Sequence, residues 1–301
     1  MYLRSTTIIS KHRFTSVSAR EHFNPKWELC IDQLSEGAYQ ADATVIAASS
    51  LIIHFEQASR FVRRTGRSPA STWAVAIPLE PDAKWRLNAS PIGDEAIAVC
   101  APQAVIDLSI PAGSTAVCVE IPWTEALAPR PDSSALLLHA DAGALRGMRE
   151  LLRRIRYSTG GDVEAASDAL AMHLRHQLCN ARLHAPIRSA LALDALEHAM
   201  NRLPHRTALP DIAAQFGVSV RTLHASFMQS FGQSPSQTMR LVRLNRARRE
   251  LAARPATRCI ADVAEPLGFE HLGRFANAYK SLFGVVPSHE TRRAPGDIVD
   301  A

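Results

Sequence analysis

Arginine is the residue type whose number and position in this chain first suggest a chemistry. Between His205 and Arg293 the sequence has thirteen Lys and Arg against six Asp and Glu, and twelve of those cations are arginine. That third carries a net charge of +7, whereas the whole 301-residue chain carries +5. The planar guanidinium donates two parallel hydrogen bonds and suits both phosphate and guanine. The pattern indicates either a nucleic-acid surface or a solvated basic face.

The N-terminal part has few residues spaced for catalysis or metal binding. His54 and Glu56, two apart on an expected strand, come nearest to a metal pair, and no second histidine lies close to them in sequence. We therefore predict no metal, no cofactor and no enzymatic activity. The alternative that stays open is a cupin-like metalloenzyme with a basic accessory domain.

Two further groups of side chains have two interpretations each. An arginine cluster is either an anion site or a solvated loop, and three tryptophans are either pocket walls or core. The arginines are Arg60, Arg63, Arg64 and Arg67, and the tryptophans are Trp73, Trp85 and Trp123.

The cysteines and the hydropathy pattern indicate a reduced, aqueous environment. Five cysteines are scattered without CxxC spacing, which argues against a disulfide framework and a zinc site. No apolar run approaches the ~20 residues of a membrane span. We interpret the first twenty residues as the irregular start of a soluble protein.

Residues 1–130 are predicted to form a β-rich domain. Short segments rich in Val, Ile and Thr, such as "TWAVAIPL" and "TAVCVEIPW", alternate with turn clusters. That spacing is typical of a sandwich or a barrel. "APRPDSS", at 128–134, is the expected exit from this domain.

Residues 131–183 are predicted to be a helical linker and dimerisation segment. From Leu136 onward the apolar residues step by three and four, and "STGGD" (158–162) breaks the pattern. A second helix then carries one apolar stripe, which either packs in the core or pairs with another subunit. The stripe consists of Ala166, Leu170, Leu174 and Leu178.

Residues 184–293 contain one small unit twice. The first copy contains "IAAQFGVSVRTLHASF" and "FGQSP", and the second contains "VAEPLGFEHLGRFANAY" and "FGVVP". Equivalent residues of the two copies are 51 positions apart up to the glycine of the turn and 52 positions apart after it. The extra residue lies just after the glycine, where a loop tolerates it. Each unit is predicted to be a helix, a glycine turn and a second helix.

A long helix should join the two units. In "SPSQTMRLVRLNRARRELAAR", Ser234 is the expected cap, Pro235 the first helical residue and Gln237 the third residue of a capping box. A helix-turn-helix places its second helix in the ~12 Å major groove of B-DNA. Two such helices held about 34 Å apart can read two adjacent turns of one duplex face.

These motifs, in this order and spacing, resemble the DNA-binding domain of the AraC/XylS transcription regulators. The resemblance covers about residues 186–293 and, more weakly, "WRLNASPI" and "PAGSTAVCVEIP" of the N-terminal part. It implies an α+β chain with a β-barrel or jelly-roll-like, cupin-like sensor domain and an all-α domain of two helix-turn-helix units. Residues 294–301 are expected to be a disordered tail.

The resemblance assigns roles position by position. Groove-facing residues fall on Arg221, His224 and Ala225 in the first unit, and on His271, Gly273, Arg274 and Asn277 in the second. Expected phosphate contacts are Ser219, Arg240 and Arg243. Where the family commonly has arginine this chain has Ala225, so fewer base contacts are expected from the first unit. Pro266 should end the helix before Gly268 early.

The resemblance also implies partners. They are double-stranded promoter DNA, a small-molecule effector of unknown identity, RNA polymerase and a second copy of the chain. No membrane partner is expected. The predicted protein is a ligand-responsive activator of the bacterial cytoplasm, associated with the nucleoid.

Overall fold

The computed structural model describes most of the chain. It covers residues 7–80, 83–93, 96–122, 135–139, 141–158, 161–180, 190–205, 207–253, 259–290 and 298–300. Trp123 and the expected domain exit at 128–134 lie outside the described residues.

Two antiparallel sheets form the N-terminal domain. Their strands, in chain order, are β1 (Ile8–Phe14), β2 (Glu28–Gln33), β3 (Ala41–Ala47), β4 (Ile52–Ala58), β5 (Val62–Arg67), β6 (Thr72–Pro78), β7 (Arg86–Leu87), β8 (Ser90–Pro91), β9 (Ala96–Cys100), β10 (Val105–Ile110), β11 (Thr115–Pro122), β12 (Ala135–His139) and β13 (Ile298–Asp300).

The larger sheet has the order β12-β9-β6-β11-β4-β3-β1-β13, and the smaller one β2-β5-β10-β7-β8. Residues of both sheets, including Phe55, Val75 and Ile106, belong to one hydrophobic core. Burial of alternate residues from two sheets is how a β-sandwich forms its core. The predicted β-rich domain is confirmed.

Among the described residues, nine helices lie between β12 and β13, and one short helix lies near the N-terminus. They are α1 (Val17–Glu21), α2 (Ala142–Tyr157), α3 (Gly161–Asn180), α4 (Leu191–Asn201), α5 (Leu209–Gln215), α6 (Val220–Phe231), α7 (Pro235–Ala253), α8 (Ala261–Ala264), α9 (Leu272–Phe283) and α10 (Pro287–Glu290). No helix among the described residues is both long and apolar enough to cross a bilayer.

The segment 131–183 differs from the predicted helical linker. Residues Ala135–His139 form β12, which pairs with β9 at one edge of the larger sheet. A short apolar run such as "ALLLH" is compatible with a strand or a buried helix, and pairing with β9 decides in favour of the strand. The first domain therefore extends past residue 130.

The apolar stripe of α3 packs inside the chain. Leu170 and Leu174 are fully buried, and α3 lies against α2 in the same core as the two sheets. Of the two interpretations of this stripe, core packing is the one that the structure contains. The helices α2 and α3 thus belong to the N-terminal domain.

The C-terminal tail also differs from the prediction. Residues Ile298–Asp300 form β13, which pairs antiparallel with His12–Phe14 of β1 at the edge of the larger sheet. An unpaired edge strand presents a row of free N–H and C=O groups, and the β-branched Ile298 and Val299 favour the extended conformation that satisfies them.

Candidate nucleic-acid interface

The first helix-turn-helix unit consists of α5, a glycine turn and α6. Gly217 has a φ of +64°, a left-handed conformation that a residue with a Cβ atom rarely adopts. The Ser219 hydroxyl accepts a hydrogen bond of 3.0 Å from the backbone N–H of Thr222 and so caps α6. The predicted cap is confirmed.

The two faces of α6 differ sharply in burial. Leu223, Phe227 and Phe231 are buried in the core of the C-terminal domain. Val220 is 42% exposed because it lies in the first turn, at the edge of the core. The interface residues proposed for this helix are all exposed: Arg221, His224 and Ala225.

The second unit has a shorter first helix. The α-helix α8 ends at Ala264, and a 3₁₀ turn with Pro266 at its second residue continues to Leu267. Proline removes a backbone donor and clashes with the preceding turn of an α-helix, which explains the early end. Gly268 then adopts a left-handed φ of +76° and starts the turn into α9.

The outward face of α9 carries the residues predicted to enter the groove. Phe275, Tyr279 and Leu282 are buried and hold the helix on the core. Four residues predicted to face the groove are exposed: His271, Gly273, Arg274 and Asn277. His271 occupies the N-cap position, and its side chain makes no capping hydrogen bond, so the ring remains available to a ligand.

The helix α7 separates the two units and begins as predicted. Pro235 is its first residue, and the Ser234 hydroxyl accepts a hydrogen bond of 3.3 Å from the backbone N–H of Gln237. Leu241, Leu244 and Leu251 are buried and form one apolar stripe along α7.

The arginines of α7 have different surroundings. Arg240 is exposed and borders the same surface depression as Arg274 and Asn277. Arg243, in contrast, is buried, with its guanidinium 5.3 Å from the centre of the Phe269 ring. Arg243 nevertheless borders a surface depression together with Arg240, and its role as a phosphate contact stays a prediction.

Two further arginines of α7 pair with acids of the N-terminal domain. Arg248 Nη2 lies 2.8 Å from Glu21 Oε2, and both side chains are at least nine-tenths buried. Arg249 Nη1 lies 2.9 Å from Asp32 Oδ1 and 3.5 Å from Glu21 Oε1. Arg246 pairs within the C-terminal domain, 3.2 Å from Glu250.

Strand β2 also binds the C-terminal domain through its last residue. The Gln33 backbone N–H donates to Asn245 Oδ1, and Asn245 Nδ2 donates to the Gln33 carbonyl, both at 2.9 Å. The Gln33 side chain donates to the carbonyl of Leu282 at the end of α9. A Cβ atom at Gly284 would lie 3.0 Å from the Ala38 Cβ, so the glycine allows this close approach.

The loop after β2 reaches the groove-facing side of α9. The Gly37 N–H donates to the Ser281 and Leu282 carbonyls at 2.9 and 3.1 Å, and the Ser281 hydroxyl donates to Glu36 at 2.7 Å. Ser281 lies one helical turn beyond Asn277 on the same exposed face. A carboxylate of the first domain therefore lies at one end of the candidate reading surface.

Sequence reasoning missed these contacts between the domains. The paired residues are more than 200 positions apart, so no local pattern marks them. The one available signal was the arginine density of α7, which exceeds what one exposed helix face can hold.

The C-terminal part of the chain is similar in sequence to known proteins. Residues 212–293 match a family described as "Helix-turn-helix domain". Over 107 residues the chain is 40% identical to the "Probable thc operon regulatory protein" of Rhodococcus erythropolis, covering 35% of this chain and 31% of that protein. Over 83 residues it is 39% identical to the "XylDLEGF operon transcriptional activator 2" of Pseudomonas putida, covering 27% and 52%.

A solved structure is also similar. A transcriptional regulator with an AraC-type DNA-binding domain from Chromobacterium violaceum aligns at 28% identity with a TM-score of 0.32, covering 34% of this chain and 89% of that one. The chain spans about a third of the length of the thc relative and about half of the XylDLEGF relative.

The C-terminal domain thus consists of two helix-turn-helix units, and its sequence is similar to those of an operon regulatory protein and a transcriptional activator. The names of these two relatives describe a probable operon regulatory protein and a transcriptional activator. Among the described residues, no group of three or more His, Cys, Asp or Glu side chains is arranged to hold a metal ion.

Proposed function

We propose that the protein is a sequence-specific DNA-binding transcription regulator whose two helix-turn-helix units read adjacent major-groove segments. One observation carries this proposal. On α6 and on α9 the aromatic face is buried, while the opposite face exposes a polar set led by Arg221 and Arg274. Exposed groove-sized helices bearing arginine suit bidentate contacts with guanine.

Phosphate contacts would come from residues beside the reading helices. Arg240 is exposed next to α9, and Ser219 stands exposed at the N-terminus of α6. Backbone N–H groups and the helix dipole at such an end favour an anion. These contacts position the protein without reading sequence.

The N-terminal domain would regulate the DNA-binding domain. Its acids neutralise Arg248 and Arg249, and its Glu36 lies at the end of the reading face. In this arrangement the first domain adds negative charge where phosphate would approach. An effector that binds the undocked arrangement more tightly would shift the population towards DNA binding.

The remaining partners are proposed from the family. We expect promoter DNA and an effector, activation through RNA polymerase, action in the bacterial cytoplasm on nucleoid DNA, and a homodimer. Two large apolar side chains on α2 and α3 support a protein interface there, because Tyr157 and Met172 are 78% and 71% exposed.

The test starts from binding sites selected by genome-wide footprinting. Fluorescence anisotropy would compare one selected duplex with a scrambled one. Arg274→Ala should weaken binding to the selected duplex by about 1–3 kcal/mol, and binding to the scrambled one by less. Arg240→Ala should weaken both alike and lower the log–log salt slope by about 0.9.

The matched control is Arg246→Ala, since Arg246 is exposed on the same helix but paired with Glu250. It should leave the sequence preference unchanged. Equal affinity for every duplex, or affinity that does not fall with salt, would reject the proposal.

A further inference from the structure

Three large apolar side chains are exposed on the described part of the C-terminal domain, and all three lie on the helices proposed to read DNA. Val220 and Met228 of α6 are 42% and 45% exposed, and Leu272 of α9 is 43% exposed. The other large apolar residues described in this domain are buried or half-buried. A single exposed apolar residue is common on any protein surface, so the positions of these three are the informative feature.

Val220 and Leu272 occupy the same place in the two helix-turn-helix units. They are 52 positions apart, which is the offset between the units after the glycine turn, and each is the first residue of its helix. The residues three and seven positions after them are buried in both helices: Leu223 and Phe227 in α6, Phe275 and Tyr279 in α9. The fold thus presents one exposed apolar side chain at the start of each helix and anchors the turns that follow.

The first turn is the part of a groove-reading helix that reaches the bases. A helix-turn-helix contacts base edges through the N-terminal residues of its second helix. Side chains of an α-helix also lean towards its N-terminus, so a first-turn side chain extends towards the end that enters the groove. Each apolar residue shares this turn with an exposed arginine, since Arg221 follows Val220 and Arg274 lies two residues after Leu272.

Thymine is the base that presents an apolar group in the major groove. Its C5 methyl projects there, whereas guanine, cytosine and adenine offer hydrogen-bond donors and acceptors. Valine and leucine side chains form no hydrogen bonds and gain free energy only when apolar surface leaves water. The group that such a side chain can recognise at a base edge is therefore the thymine methyl.

We propose that Val220 and Leu272 each contact the C5 methyl of a thymine, so that each unit selects a thymine at one position of its site. The inference rests on the proposed function, because it assigns base specificity to the same two helices. When the helices enter adjacent turns of the groove, the two thymines lie about 10 base pairs apart. The contact matters most for the first unit, because the exposed Ala225 offers no hydrogen bond to a base.

Removal of the methyl group from the DNA tests the contact without any change in the protein. In a duplex selected by footprinting, each thymine is replaced in turn by deoxyuridine, which lacks only the C5 methyl. Fluorescence anisotropy measures the affinity of the wild-type chain for each duplex. We expect two positions, about 10 base pairs apart, at which uracil weakens binding about three- to fivefold. Both substitutions together should weaken binding about tenfold or more.

Alanine variants assign each thymine to one side chain. In Val220→Ala, uracil at the position of the first unit should change the affinity less than about twofold, while uracil at the second position keeps its full effect. Leu272→Ala should show the reverse. Alanine is a good helix former and both side chains are already part-exposed, so each variant should fold, which circular dichroism verifies.

The matched control is Met228→Ala. Met228 is as exposed as Val220 and lies on the same helix, but it is two turns, or about 12 Å, further from the N-terminus. Its replacement should leave both uracil effects unchanged, because it lies outside the turn that reaches the bases.

Two results would overturn the thymine contacts. One is a wild-type chain that tolerates uracil at every thymine of the selected duplex. The other is a pair of uracil effects that persist undiminished in both alanine variants. Unchanged DNA affinity in these variants together with lost activation of transcription would assign the two side chains to a protein partner instead.

Failure of the proposed function gives a different result in the same titrations. A wild-type chain that prefers the selected duplex to a scrambled one, yet tolerates uracil throughout, removes the thymine contacts and leaves the regulator proposal standing. Equal affinity for the selected and scrambled duplexes removes both.

Discussion

Replacement of Arg248 by methionine should separate the unfolding of the two domains. The Arg248 side chain is 2% exposed, and its Nη2 atom donates both to Glu21 and to the Ile31 carbonyl of the N-terminal domain. Methionine fills a similar volume without the charge. Glu21 would then stay buried with only one of its two arginine partners, Arg249.

The expected magnitude follows from the geometry. Removal of one partner from a buried ion pair costs about 3–5 kcal/mol, because the other charge stays buried. Here Arg249 remains 3.5 Å from Glu21 and compensates in part. We therefore expect a loss near the lower end, about 3 kcal/mol. Arg246→Met, which breaks an exposed pair on the same helix, should cost less than about 1 kcal/mol.

The chain provides separate probes for the two domains. Its four tryptophans all precede residue 124, so their fluorescence reports the N-terminal domain. Ellipticity at 222 nm is dominated by helices; α4 to α10 lie in the C-terminal domain, and the contribution of α2 and α3 should follow the tryptophan transition. In urea, the two transitions of the wild type should coincide or nearly so, since each domain stabilises the other. In Arg248→Met they should move apart.

A double-mutant cycle with Glu21→Gln shows whether the pair itself is responsible. The double variant should be about 1–3 kcal/mol more stable than the sum of the single losses predicts, because it no longer buries an unpaired charge. Strict additivity, or an Arg248→Met chain whose two transitions match those of the wild type, would refute the reasoning.

Three further predictions concern single groups. Burial opposes the ionised form of Glu56, but its two arginine partners, Arg20 and Arg64, prevail and lower its pKa. The ionised carboxylate therefore stabilises the fold above about pH 4.5, and this contribution is lost as the pH falls. The difference in unfolding free energy between the wild type and Glu56→Gln, measured by urea titration, should become smaller at acidic pH. Burial raises the pKa of Cys100 to about 12 and raises that of Cys118 well above its usual range. Neither thiol should react with a thiol reagent at pH 8, whereas the exposed Cys259 should. Peptide mass spectrometry after labelling would measure the difference. If α3 contributes to the homodimer, Met172→Glu should give a monomer by light scattering with unchanged thermal stability.

The helix-turn-helix units could be predicted because their determinants are local. Gly217 marks a left-handed turn, Ser219 caps the next helix, and the aromatic spacing selects the buried face, all within about fifteen residues. Even the early end of α8 follows from Pro266. Local chemistry of this kind can be read from sequence without knowledge of tertiary contacts.

The errors arose where distant contacts decide. Residues Ala135–His139 are a strand because β9 lies beside them, and Ile298–Asp300 are a strand because they pair with β1. The arginine cluster at 60–67 was open between an anion site and a solvated loop. Its residues Val62–Arg67 form a strand, and the pleat that directs Arg64 inward leaves Arg67 exposed.

Some arginines of α7 pair with acids of the chain, so the net charge of the last third is larger than the positive charge that could contact DNA. Arg248 and Arg249 are matched by Glu21 and Asp32, so two of the cations that make the last third basic are neutralised within the chain. Undocking of the domains would release both cations and remove the Glu36 carboxylate from the end of α9. Each released cation that met a phosphate would steepen the salt slope by about 0.9. In the proposed regulator, the ion pairs that hold the domains together would therefore also set how strongly DNA and docking compete.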